Sequence, residues 1–207
     1  MVDEESEMDL RHASALLEGG ETLRERLEPD PRILFGSWGL AWLVGYGALW
    51  ISARAEGDAT PSNGAFVVFV ALLIAATVMA AVHTARRASG LRGASATTGA
   101  MYGWSWVVTF SAVGLVLGSL SRFDLPREVY AEIANVIPTL LVGALYMAGA
   151  ATYRNWSWFF LGAWIVVVAA FATMLAMPIT YLAMAVAGGL VMLAVAGFAQ
   201  LKRSQSW

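Results

Sequence analysis

Ile33–Ala53 reads ILFGSWGLAWLVGYGALWISA, twenty-one residues without a charge or a proline. At about 1.5 Å rise per residue, a helix of that length crosses the roughly 30 Å hydrocarbon core of a bilayer. Trp38, Trp42, Tyr46 and Trp50 recur four apart, so their rings form a ladder on one slowly drifting helix face. Beside the ladder runs a row of small residues, Ser37, Ala41, Gly45, Ala48 and Ser52, which admits a close neighbour. The ladder recurs at Tyr102, Trp106 and Phe110 and again at Trp156, Phe160 and Trp164.

Working outward, five more apolar windows cover about residues 65–84, 101–120, 133–152, 156–176 and 181–200. The polar connector at 54–64, whose Pro and Gly mark a turn, separates the first two, and Met177-Pro178-Ile179-Thr180 is short enough to force an antiparallel hairpin between the last two. The expected fold is therefore an all-α polytopic membrane protein: a bundle of six transmembrane helices over residues 33–200, arranged as three antiparallel hairpins. Each first helix carries an aromatic ladder, and each second helix is rich in Ala, Gly, Val and Met. A threefold internal repeat and a shared way of finishing at the cytoplasm explain this equally well. Gly114-x-x-x-Gly118, with Ser111 on the same face, is expected to lie against a neighbouring helix. Pro138 is expected to kink the fourth span or mark its first turn.

Charge is confined to the ends and connectors. Of the whole chain 58% is apolar and only 14% charged, against about 25% in an ordinary soluble domain. Residues 1–32 form a polar preface with ten acids and four arginines. Its apolar positions follow helical spacing interrupted by Gly19-Gly20, which predicts a short amphipathic helix or, equally, two short helices around that break. Anionic headgroups repel such a helix, so it is expected to dock on the protein's own cytoplasmic face or on a partner protein. With the N-terminus inside, ten arginines and lysines fall on the cytoplasmic side and three (Arg54, Arg122, Arg127) outside. Both termini, including the tail at 201–207, are thus expected in the cytoplasm of a bacterial-type plasma membrane.

The function classes excluded are informative. All fifteen acids lie in the preface or at Glu56, Asp58, Asp124, Glu128 and Glu132. No Asp, Glu, Lys or Arg occupies the middle of a span, which argues against proton-coupled carriers, pumps and Schiff-base pigments. There is no cysteine, and of the two histidines only His83 borders a span. No metal site, cofactor or catalytic triad is expected, His83 reads as a solvated interfacial residue, and the protein is not expected to be an enzyme. No nucleic-acid partner is expected either.

Nine tryptophans remain. Trp104, Trp106, Trp156 and Trp158 sit at span starts, where an aromatic belt at headgroup level accounts for them, and Trp50 can serve likewise outside. Trp42, Tyr46, Phe110 and Trp164 lie deeper. Lipid-facing filler, helix packing and the lining of a ligand cavity are three readings of these rings. Polar groups in the spans, Ser105, Thr109, Ser111, Thr139, Tyr146 and Thr173, accompany them, each with the alternative of bonding back to its own helix. Candidate ligand-binding residues are Trp42, Tyr46, Phe110, Trp164, Ser105, Thr109 and Tyr146; if the deep rings line a site, Trp42 and Trp164 should converge on one cavity with Phe110 and several of the span hydroxyls. Two functions follow as expectations. One is a transport component or binder of a hydrophobic, planar small molecule or lipid. The other is an accessory or scaffold subunit whose acidic N-terminal helix docks a partner.

Overall fold

The computed structural model describes residues 30–57, 60–89 and 94–204, with backbone alone at 88, 94, 95 and 202–204. The expected N-terminal helix and residues 205–207 lie outside the described residues. The helices are α1 (Pro31–Glu56), α2 (Asn63–Ala88), α3 (Ala94–Leu120), α4 (Arg127–Tyr153) and α5 (Trp156–Ala172). A last span runs through α6 (Ile179–Ala183), a π-helical segment (Met184–Leu190) and α7 (Val191–Ser204). Among the described residues five helices are long and apolar enough to cross a membrane: Pro31–Glu56, Asn63–Arg87, Ala96–Leu120, Arg127–Tyr153 and Ile179–Leu201. The secondary structure of the described residues is all helical, and its five long apolar helices are those of a multi-pass membrane protein.

Local chemistry sets the boundaries. Asp30 caps α1, its carboxylate accepting from the Arg32 backbone N–H at 3.0 Å, and Pro31 occupies the first turn, where it lacks no useful donor. Gly57 closes α1 with φ 67°, a left-handed turn that suits glycine. Ser52 Oγ receives the Ser62 backbone N–H and donates to Ser62 Oγ, both at 2.8 Å, so the end of α1 is tied to the cap of α2. Arg154 at φ 53° ends α4, and the Asn155 side chain caps α5 through the Trp158 N–H at 3.2 Å. Two link residues make α4 and α5 an antiparallel pair.

The fifth expected span is shorter than its apolar run. α5 stops at Ala172 after 17 residues, about 26 Å of helix, rather than continuing to residue 176. The hydroxyl of fully buried Thr180 is shared between the carbonyls of Ala172 and Leu175 at 3.3 and 3.0 Å, which satisfies the helix end.

Packing divides the helices into two groups. α1 lies against α2 and against the last span, while α5 lies against α4, on which α3 rests more loosely. The groups join where α5 meets the π-helical segment and where side chains of α1 reach those of α4. The tightest pair, α4 with α5, crosses the boundary between two of the expected hairpins, so the hairpins are not three equivalent units.

Glycines mark the closest approaches. A β-carbon at Gly143 would sit 2.7 Å from the Gly162 carbonyl oxygen, and one at Gly162 would sit 2.6 Å from the Gly143 oxygen. That reciprocal seat brings α4 and α5 together. Likewise a β-carbon at Gly189 would lie 2.6 Å from the Leu43 nitrogen, and one at Gly39 would lie 2.9 Å from the Leu193 nitrogen. Gly45 from the small-residue row receives the Phe69 ring of α2, 2.7 Å from where its β-carbon would be. The expected Gly114-x-x-x-Gly118 contact is not made: both glycines face outward, with nothing within 4 Å of a β-carbon. The spacing permits close packing, but α3 turns its other side toward α4.

Candidate functional site

The ladder of α1 enters the core. Trp42 is 3% exposed and Tyr46 5%, and their rings meet edge-on with centroids 5.4 Å apart. Trp42 lies over the bare backbone of Gly188, where a β-carbon would be 2.5 Å from its Cε3 atom. Tyr46 packs on Phe69 at 4.7 Å, and its hydroxyl lies 3.4 Å from Thr139 Oγ1 on α4. Thr139 gives its one proton to the Asn135 carbonyl at 2.8 Å, so Tyr46 is the donor across the seam. At 3.4 Å that is a long contact for two hydroxyls, whose bonds cluster near 2.7–2.8 Å.

A second aromatic group surrounds Tyr146 of α4. Phe35 of α1, Trp106 of α3 and Trp158 of α5 approach its ring at 6.2, 5.6 and 6.2 Å, so four helices meet there. Trp106 stacks on Phe110 at 5.9 Å with an interplanar angle of 11°, presenting two nearly parallel faces. Tyr102 anchors α3 below them by donating to the Leu145 carbonyl at 3.1 Å. At the other end of α3, Tyr130 donates to the Leu117 carbonyl at 3.2 Å. Tyrosine hydroxyls therefore clasp α3 to the α4 side at both ends.

The candidate residues do not all converge. Trp42, Tyr46 and Tyr146 belong to one buried cluster, and Phe110 packs at its margin. Trp164 does not join them: it is 43% exposed, and its indole donates to the Ala187 carbonyl of the π-helical segment at 2.8 Å. Trp42 and Trp164 thus hold the π-helical segment through adjacent residues, Gly188 and Ala187, rather than lining a shared cavity. Ser105 bonds back to the Tyr102 carbonyl at 2.7 Å and Thr173 to Ala170 at 2.7 Å. Thr109 is half-buried and Ser111 faces outward.

Distance from the span start does not decide which tryptophans face outward. Trp104 and Trp156 are exposed, as a belt requires, but Trp106 and Trp158 are half-buried in the Tyr146 group. Trp50 lies beneath the Arg54 guanidinium, 5.5 Å from its ring centre. His83 is not simply solvated. Its Nε2 accepts the Asp30 backbone N–H at 3.0 Å, a role that requires that nitrogen to be unprotonated. Asp30 is buried and pairs with Arg32 through both carboxylate oxygens, and Arg32 reaches on to Gln200. This latch ties the start of α1 to α2 and to α7. The Arg32 hydrogen bond, working against the cost of burial, holds the Asp30 carboxyl down at about 2.

Asn135 carries a signal that the aromatic pattern hides. It is 7% exposed, and its Nδ2 has no hydrogen-bond partner among the described residues. It is also the one carboxamide in the interior of any apolar window. Among the described residues no group of His, Asp or Glu side chains could hold a metal ion. Compared with known proteins, the chain matches no protein-family model, no curated protein and no solved structure.

Proposed function

We propose that this protein is a non-enzymatic membrane component that binds a hydrophobic, planar small molecule at the aromatic seam between α1 and α4, as part of its transport or retention in the bilayer. The observation that carries the reading is how the two helix groups meet. α1 and α4 touch through Tyr46, Thr139, Phe35 and Tyr146 side chains. The flanking helices α2 and α3 each rest on one group, with no close packing between them among the described residues. Such a seam can part to admit a flat molecule between Phe69 on one side and the Trp106–Phe110 pair on the other, a combination of apolar walls and a few polar groups that suits ligand binding. With no acid or base inside, movement of the molecule would be passive or driven by a partner.

The test is thermal unfolding of the purified protein in mild detergent, with and without an apolar extract of the source membrane. The extract should raise the midpoint for the parent and do so less for Phe110→Ala. An extract that leaves the parent unchanged overturns the reading. For orientation we propose both termini in the cytoplasm. A cysteine at exposed Arg122 should then react with an impermeant thiol reagent in intact cells, and one at Arg86 should not; the opposite pattern inverts the topology.

The alternative is an accessory or scaffold subunit. The outward Gly114–Gly118 face of α3 favours a membrane-embedded partner, independent of any docking by the acidic preface. Disulfide capture from a cysteine at Ser111 tests it.

A further inference from the structure

We infer that Asn135, with Tyr46 and Thr139, forms the polar end of this seam and that the molecule it accepts is neutral and carries a carbonyl oxygen. The inference rests on the proposed binding of an apolar molecule and specifies its chemistry. Asn135 and Thr139 are one turn apart on α4 and so share a face. Both are buried, and Tyr46 reaches the same face from α1. Two donors stand there without adequate acceptors. Asn135 Nδ2 has none among the described residues, and the Tyr46 hydroxyl has only the long Thr139 contact. A buried amide left unbonded is costly, the more so where no water can reach it.

The chemistry of a matching ligand follows. Two donors call for an acceptor oxygen. Asn135 is the third residue of the apolar stretch that begins at about residue 133, roughly 4.5 Å along α4 from Glu132, so the polar end of the site lies just inside headgroup level and the rest of the seam favours an apolar body. A carboxylate or phosphate is disfavoured: no cation lies in the interior of any span, and the nearest ionisable group along α4 is Glu132, three residues earlier. A cation is disfavoured because an amide N–H and a phenol present positive hydrogens. Phe69 against Tyr46 and the parallel Trp106–Phe110 pair suit a planar ring. A quinone or an aryl ketone meets all of these requirements.

The test uses the full chain in lipid nanodiscs with a decyl-substituted benzoquinone as probe and decylbenzene, of the same ring and tail, as control. The quinone should bind at least about tenfold more tightly than the hydrocarbon, a difference of about 1.4 kcal/mol. Asn135→Leu should lose that preference while melting no lower than the parent, because it removes an unbonded polar group. Tyr46→Phe, which keeps the ring, should reduce quinone affinity severalfold and carries the test should Asn135→Leu not fold. Equal binding of quinone and hydrocarbon, or an undiminished preference in both variants, overturns this inference while leaving an apolar site standing. Binding of neither probe overturns the apolar site as well.

Discussion

Gly189→Ala tests how α1 and the last span are held. Its β-carbon would fall 2.6 Å from the Leu43 nitrogen and 2.9 Å from the Leu43 α-carbon. Ordinary contacts settle near 3.5–4.0 Å, so two helix backbones must part by about 1 Å. Backbone cannot swing aside as a side chain does, and parting it also loosens Gly39 from Leu193. The cost should reach the top of the overpacking range, about 3 kcal/mol. Gly188→Ala meets the Trp42 ring instead, at 2.5 and 2.7 Å. That ring can turn by giving up its edge-on contact with Tyr46, so about 1–2 kcal/mol is expected. Trp42→Leu clears the space above Gly188. In that background Gly188→Ala should lose most of its cost, and Gly189→Ala should keep its own. Unfolding by sodium dodecyl sulfate from mild detergent, followed by far-ultraviolet circular dichroism, gives both coupling energies. A Gly189→Ala protein as stable as the parent, or equal rescue of both glycine variants by Trp42→Leu, would refute the reasoning.

Three further outcomes are expected. Leucine at both Gly114 and Gly118 should change detergent stability by no more than about 0.5 kcal/mol, since neither position has a neighbour; a large loss would show a contact this fold lacks. Trp164→Phe removes the indole bond to Ala187 and should cost about 1 kcal/mol, in the range of hydrogen bonds between membrane helices, whereas no change would make that bond incidental. Asp30 titrates near 2 when folded against an ordinary 3.8, so its contribution is complete above about pH 4 and is lost as pH falls through about 2. Asp30→Asn should lower stability at pH 7 by on the order of 1–2 kcal/mol, allowing for screening at the partly exposed Arg32, and should flatten the acid limb of the stability profile. An unchanged limb would detach the latch from stability.

The helices were legible because twenty uncharged residues leave a chain in lipid little choice. The burial of Trp42 and Tyr46 was not: lipid-facing filler, packing and cavity lining fit the ladder alike until Gly188 and Phe69 are placed against those rings. What escaped the sequence depends on pairs. Gly143 and Gly162 are single glycines on different helices, and only their meeting gives them a role. Gly114 and Gly118 have the familiar spacing, but spacing does not say which way a helix turns. The π-helical segment differs from an α-helix only in closing each hydrogen bond one residue further along the chain. No pattern announces it before Trp42, Leu43 and Trp164 are in place around Ala187, Gly188 and Gly189. Trp106 and Trp158 were placed at headgroup depth by their distance from the span start, yet Tyr102 four residues before Trp106 and Phe110 four after it already put that ring in a row. Asn135 needed no structure to be noticed, only attention to a lone amide among apolar neighbours.

The docking of α1 on the last span also bears on how the protein is made. Gly39 waits for Leu193 and Trp42 for Gly188, partners translated some 150 residues later. During synthesis α1 can pair with α2, and α4 with α5, but the groove of α1 has only lipid or insertion machinery to lie against until the π-helical segment emerges. Closure of α1 on the last span therefore waits until Gly188 and Leu193 have been made. A chain cut short before Leu193 would leave its first described helix exposed at the far end of the sequence, where membrane quality control could recognise it.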